Sequence, residues 1–282
     1  MDVELLAVPY DSGLRGARMG AGPQHLLDSV IEKRFPKVKA RFVELANELF
    51  PSEASAAFAI ARQLSDLVRG ARERGAFPLV LSGNCGPAAL GAIAGLGVSA
   101  IGVVWFDAHA DFNTPESTPT GFLDGMALSI VTGECWRSLS ASIPDFRSVP
   151  QENVILVGAR DFDPAEAKLL AESRIARVTS SSMDTEFSAA LDSLSERVSD
   201  VYVHVDLDVI DSDEGRANTY ACRGGLQVSQ VFEAIEAVSR KFSIRAAALT
   251  SYDPAADHDH RIQHGAGEII SALVRCAGSQ RE

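Results

Sequence analysis

The chain has 282 residues, 46% of them hydrophobic and 23% charged, with a formal net charge of −12. That length buries a large core, and the composition is that of a globular protein rather than a disordered one. The acidic surplus argues against nucleic acid and anionic membrane as partners and suits a small cationic ligand. Val3 to Pro9 reads as a first strand, followed by a glycine-rich loop, Asp11 to Gly22. Pro23 then suits the first turn of a helix running to about Phe35. Lys39 to Leu45 is a second strand, and Ser52 to Arg74 has helical spacing closed by Gly75. The apolar strand Phe77 to Leu81 runs through Ser82-Gly83-Asn84-Cys85-Gly86-Pro87 into an alanine-rich helix.

Ala100 to Phe106 is the fourth strand, and the loop Asp107 to Gly125 after it has the length and small polar content of a binding loop. Met126 to Val131 begins a helix. Strands follow at Asn153 to Val157, Ile175 to Val178, Val201 to Val205 and Ile244 to Leu249. Helices are expected at Pro164 to Glu172, Thr185 to Val198, Ser229 to Lys241 and about His260 to Cys276. The alternation of strand and helix predicts an α/β protein: a single-domain three-layer sandwich over residues 1–282, with a mainly parallel eight-stranded sheet.

Targeting signals are not evident. Met1-Asp2-Val3-Glu4 lacks the basic start of a secretory signal. Pro87 to Phe106 is uncharged, but Gly91, Gly95, Gly97 and Gly102 interrupt it, so a membrane span is rejected. Cys85, Cys135, Cys222 and Cys276 are scattered without a CxxC pair, which predicts a reduced, cytoplasmic protein. Little chain follows the last helix before Glu282, which leaves monomer and homo-oligomer both open.

The chemistry concentrates at strand ends. Val103-Val104-Trp105-Phe106 turns abruptly into Asp107-Ala108-His109-Ala110-Asp111. If the extended geometry persists, Asp107, His109 and Asp111 share a face. Val201-Tyr202-Val203-His204-Val205 repeats the plan with Asp206 and Asp208. Carboxylates with one imidazole suit a divalent cation such as Mn²⁺, with Zn²⁺ or Fe²⁺ as alternatives. This many acids repel without cations and exceed the needs of one ion, so two metals are inferred. Cys85 also sits at a strand end and a helix N-terminus, where a thiolate is favoured, and is taken as a ligand. His204 is read as a satisfied core residue and His25 as structural or exposed; His258, His260 and His264 are read as a solvated helix start. Arg160 is expected to anchor a loop through an internal salt bridge.

Trp105-Phe106-Asp107-Ala108-His109-Ala110-Asp111 and His204-Val205-Asp206-Leu207-Asp208 resemble the ureohydrolase (arginase and agmatinase) family over nearly the whole chain. Asp111-Phe112-Asn113-Thr114-Pro115 and Gly158-Ala159-Arg160-Asp161-Phe162-Asp163-Pro164 resemble its arginase branch. The resemblance implies an eight-stranded parallel sheet and a binuclear manganese site bridged by Asp107 and Asp206. Asp111 and Cys85 would complete one ion, and His109 and Asp208 the other. The family usually has histidine where Cys85 stands, a proton-carrying histidine at Asp124 and, in arginases, a guanidinium-gripping glutamate at Ser251. Asn113, Thr120 and Asp163 match positions that hold the amino-acid end of arginine, whereas Phe122 replaces an asparagine.

The expected substrate is therefore a small guanidino compound whose amino-acid end is retained and whose guanidinium end is altered. An N-hydroxyguanidine is less basic and needs a carboxylate clamp less. The pattern resembles the cysteine-ligand branch that cleaves Nω-hydroxy-L-arginine in D-cycloserine biosynthesis, with Asp111 carrying the proton and Asp124 accepting from the N-hydroxyl. Rival readings are an arginase or agmatinase on another guanidino substrate, a one-metal amide deacetylase, and a metal-binding relative without hydrolase activity.

Overall fold

Eight parallel strands form one sheet: β1 (Val3–Val8), β2 (Ala40–Phe42), β3 (Phe77–Ser82), β4 (Gly102–Phe106), β5 (Val154–Val157), β6 (Ala176–Val178), β7 (Asp200–Asp206) and β8 (Ser243–Thr250). The structure is a computed structural model that describes residues 2–45 and 52–278. Its strand order is β2-β1-β3-β8-β7-β4-β5-β6. The central strands are apolar along their whole length because both faces are covered: every residue of β3 and β4 is buried. Helices Gly22–Leu26, Met183–Ser195, Val228–Lys241 and Arg261–Gly278 contribute to the core on one face. Helices Glu53–Glu73, Cys85–Leu96 and Ala127–Thr132 contribute to the other.

The helix Glu53–Glu73 starts where Ser52 Oγ accepts the Ser55 N–H at 3.1 Å, and it buries Ala57, Ile60, Ala61, Leu64, Val68 and Ala71 at helical spacing. The helix Cys85–Leu96 is buried on all sides, hence its lack of any charge. It ends at Gly97 with φ +58°. The expected span Pro23 to Phe35 is helical from Gly22 to Arg34 with a π turn at Leu27–Ile31. The second strand is shorter than expected, and the glycine-rich loop contains a small hairpin, Tyr10–Asp11 with Leu14–Arg15. A short helix at Arg137–Ser140 was not anticipated. No described helix is long and apolar enough to cross a membrane. The tail beyond residue 278 lies outside the described residues.

Strand order is what assembles the site. The neighbours β3, β8, β7 and β4 place four C-terminal ends side by side at the sheet's centre. Thr250 pairs with Ser82 on one side and Asp206 on the other, while Phe106 pairs with Val205. Residues just after these positions therefore emerge at one level: Cys85 beyond β3, Ser251 beyond β8, Asp208 beyond β7 and Asp107 beyond β4.

Candidate metal centre

The alternation of acids does not come from a continued pleat. β4 ends at Phe106, and the chain bends at once. Asp107 Oδ1 accepts the His109 N–H at 2.7 Å, and Asp206 Oδ1 accepts the Asp208 N–H at 2.9 Å. Each aspartate turns the chain on itself two residues on, the local bond short polar side chains favour. The two turns interlock, since Ala108 N–H donates to Asp208 Oδ1 at 3.2 Å. Asp111 takes the left-handed backbone, φ +50°, and its carbonyl accepts N–H groups of Leu128 and Ser129. That bond to the start of the helix Ala127–Thr132 holds the conformation in place.

Two groups of possible ligands result, Cys85–Asp107–Asp206 and Asp107–His109–Asp208, with donor atoms in each within 4.8 Å of one another. Asp107 is common to both. Trp105 Nε1–H steadies it from behind, donating to Oδ2 at 3.0 Å. Asn218 Nδ2 donates to Asp208 Oδ2 at 3.3 Å and to the Ser251 carbonyl at 2.9 Å. Neither Trp105 nor Asn218 announced itself in the sequence as a supporting group.

Electrostatics favour cations here. Four carboxylates, Asp107, Asp111, Asp206 and Asp208, lie at most 8% exposed beside the Cys85 thiol. Among the described residues, no lysine or arginine lines the cavity above them. Burial, reinforced by neighbouring carboxylates, raises Asp107 and pushes Asp111, Asp206 and Cys85 well above their ordinary ranges. Burial opposes the charged form of His109, but Asp208 and Asp107 outweigh it and raise its pKa strongly. Burial likewise works against Asp208, yet His109 holds that carboxyl at about 2. His109 Nδ1 lies 3.4 Å from both Asp107 Oδ1 and Asp208 Oδ2, so a proton on it would sit between the two carboxylates. A divalent cation held here would offset the same charge and take the place of a proton on His109. The donor set, carboxylates with one imidazole and one thiol, thus fits metal binding.

The cavity above this cluster holds about 260 Å³. It is lined by Cys85, His109, Asp111, Asn113, Thr120, Asp124, Asp163, Asp206, Asp208 and Ser251, with Asp107 buried in the cluster at its base. Asn113 Nδ2 donates to Asp163 Oδ2 at 3.1 Å. Glu166 ties their two loops together, accepting from Phe112 N–H at 2.8 Å and Asp163 N–H at 3.3 Å. That glutamate was missed in the sequence; its place three residues after Asp163 at the start of a helix is the signal that marks it. Tyr220 stacks on Phe122 with centroids 5.9 Å apart at the cavity wall.

Asp124 meets the start of the cysteine helix. Its Oδ2 accepts from Cys85 N–H at 2.9 Å and Asn84 Nδ2 at 3.0 Å, and Oδ1 from Gly86 N–H at 2.8 Å. Burial outweighs these bonds and lifts the carboxyl to about 7. His204 is fully buried and bonded on both ring nitrogens, as a core residue should be. Burial lowers its pKa to about 3, which keeps it neutral.

The other expectations divide. His258, His260 and His264 are exposed, and Asp257 caps the final helix through Ile262 and Gln263 N–H. His25 is half-buried against Tyr252 and bonded to Gln263. Arg160 holds its loop through the carbonyls of Gly158, Asp208, Val209, Cys222 and Arg223 instead of a salt bridge. Five N–H donors in a fixed fork suit converging carbonyls, whereas Asp211 feels the charge only from a distance. All four cysteines are free thiols.

The arginase family profile matches residues 1–275. The arginase of Staphylococcus aureus strain MRSA252 is 29% identical over 222 residues, 76% of this chain and 72% of that protein. The Bacillus subtilis arginase is 26% identical over 289 residues, 96% and 97% of the two chains. A crystal structure of arginase from Bacillus subtilis superposes with a TM-score of 0.82 at 25% identity, covering both chains completely. Family members use a binuclear metal centre, typically of manganese. With its strand order, its paired ligand groups and a match of this length, the chain belongs to the arginase family of hydrolases acting on guanidino C–N bonds.

Proposed function

We propose that the protein is a two-metal amidinohydrolase that cleaves Nω-hydroxy-L-arginine to L-ornithine and hydroxyurea. The observation that carries the reading is the unequal pocket. Its amino-acid end retains Asn113, Thr120 and Asp163, while its metal end presents the Ser251 hydroxyl and Asp124 without a carboxylate at position 251. A strongly basic guanidinium gains most from a carboxylate partner. An N-hydroxyguanidine carries less positive charge, so a hydroxyl there costs it less. The cysteine-ligand resemblance points the same way and suggests a place in D-cycloserine biosynthesis.

Cys85, Asp107, Asp111 and Asp206 would hold one cation, and Asp107, His109, Asp206 and Asp208 the other. Two bound Mn²⁺ ions, with Zn²⁺ or Fe²⁺ as alternatives, would lower the pKa of a water to about 7 and offset charge building on the attacked carbon. Asp163 binds the substrate's α-amino group, and Asn113 and Thr120 bind its carboxylate. Asp111 passes a proton to the chain nitrogen as its bond to the guanidino carbon breaks. Asp124 accepts a hydrogen bond from the N-hydroxyl with a lone pair not committed to the helix. Its pKa near 7 suits proton exchange at the position where the resemblance expects a histidine.

Ornithine release by the manganese-loaded protein, with Nω-hydroxy-L-arginine and L-arginine side by side, tests the assignment. The hydroxylated substrate is expected to be favoured by about 100-fold in kcat/KM. Equal or faster release from arginine would refute the substrate while leaving the family untouched.

A further inference from the structure

Behind the metal cluster lies a line of buried polar groups that the proposed reaction does not use. Cys85 Sγ has Asp206 Oδ2 at 3.1 Å, Thr250 Oγ1 at 3.2 Å and Ser251 Oγ at 3.4 Å. Thr250 Oγ1 lies 3.2 Å from His204 Nε2 on its other side. His204 Nδ1 is 2.9 Å from the Tyr202 hydroxyl. Tyr202 and His204 are 0% exposed and Thr250 1%, and none of the three lines the cavity. The His204 ring is clamped against Trp105, with centroids 3.7 Å apart and planes 13° from parallel. Buried polar groups of this kind are expensive unless each bond is made, so their protons must be ordered.

A neutral imidazole donates from one nitrogen and accepts at the other, a hydroxyl has one proton, and a thiolate only accepts. When the sulfur is a thiolate, one arrangement runs hydrogen bonds through the whole line, with the Val205 carbonyl, 3.4 Å from Thr250 Oγ1, as the longer rival acceptor for the Thr250 proton. Tyr202 O–H donates to His204 Nδ1, His204 Nε2–H donates to Thr250 Oγ1, and Thr250 O–H donates to the sulfur. When the sulfur is a thiol, its own proton can go to Asp206, and the order is not imposed. We propose that Thr250, oriented by His204 and Tyr202, is a positioning residue that donates a hydrogen bond to the Cys85 thiolate and fixes the sulfur for metal ligation. The proposal rests on Cys85 being a metal ligand. It explains why Tyr202 and His204 stand buried on one face of β7, leading towards Asp206, while Val201, Val203 and Val205 face the other way: they pass hydrogen-bond direction to a residue the solvent never reaches. Groups that orient a ligand from behind typically change metal affinity by 10- to 100-fold when removed.

The test uses the full chain loaded with Co²⁺, whose bond to a thiolate gives a charge-transfer band in the near ultraviolet. Thr250→Val keeps the side chain's volume and removes the proton. It should move the band to longer wavelength, because an unshielded sulfur gives up an electron more readily, and weaken Co²⁺ binding by about 10-fold or more. Thr250→Ser should restore both, and Tyr202→Phe should shift the band in the same direction by less. A band unchanged in Thr250→Val but absent in Cys85→Ser would overturn the relay and leave cysteine ligation standing. Absence of the band from the unaltered protein would overturn cysteine ligation, and the relay with it.

Discussion

Asp107 and Asp206 owe their places to two hydrogen bonds of the same kind, each from the N–H two residues on. That bond explains the spacing of acids better than a strand pleat does, because β4 ends before Asp107 and β7 ends at Asp206, before Asp208. The residues themselves were plain in the sequence; the backbone that brings them together was not, since a spacing of two serves a turn and a strand alike. Trp105 read as core for the same reason: an indole N–H aimed at a carboxylate leaves no mark on apolar periodicity. Asp124 illustrates a residue with two duties. It receives three donors at the head of the cysteine helix and titrates near neutrality because burial outweighs them. If it accepts from substrate as an anion, turnover should rise with pH through about 7. Asp124→Asn should lower kcat by about 100-fold and remove that limb of the pH–rate profile. A variant with the limb intact would assign it to another group.

Among the elements, the helix Cys85–Leu96 carries the least ordinary demands. It has no polar face, it presents Cys85 at its first residue, and it crosses Glu53–Glu73 closely. A Cβ on Gly95 would stand 2.5 Å from the Ser65 carbonyl oxygen and 2.6 Å from Val68 Cβ. Gly95→Ala would gain about 1 kcal/mol of helix propensity, but overpacking against a backbone carbonyl costs about 1–3 kcal/mol. The variant should therefore be less stable in urea unfolding by about 1 kcal/mol, and a stabilised protein would show that the helices part more easily than their packing indicates. Strand and helix positions followed from hydrophobic runs, because buried parallel strands and capped helices write themselves plainly into sequence. The Tyr10–Arg15 hairpin and the helix at Arg137–Ser140 were missed because such short elements rest on local turns rather than on a repeating face.

Over the whole molecule, sequence order and spatial order differ, and the site depends on the difference. β3, β8, β7 and β4 are neighbours although β5 and β6 intervene along the chain. Alternation of strand and helix predicted a parallel sheet; the pairing of β3 with β8 had no signature in the residues, since every central strand is similarly apolar. What the sequence did carry was chemistry at the strand ends, and one sheet order brings it together. The resulting cluster is acidic and buried, with no lysine or arginine among the described residues that line its cavity, so its charge is offset by cations when they bind. Metal uptake should release protons and weaken as pH falls, because His109 and Cys85 must give up theirs. The central claim is a pair of metals sharing Asp107. Equilibrium dialysis against Mn²⁺ at neutral pH, followed by elemental analysis, should find two ions per chain, and Asp107→Ala should lose both. One ion per chain, or two retained in Asp107→Ala, would contradict the shared centre.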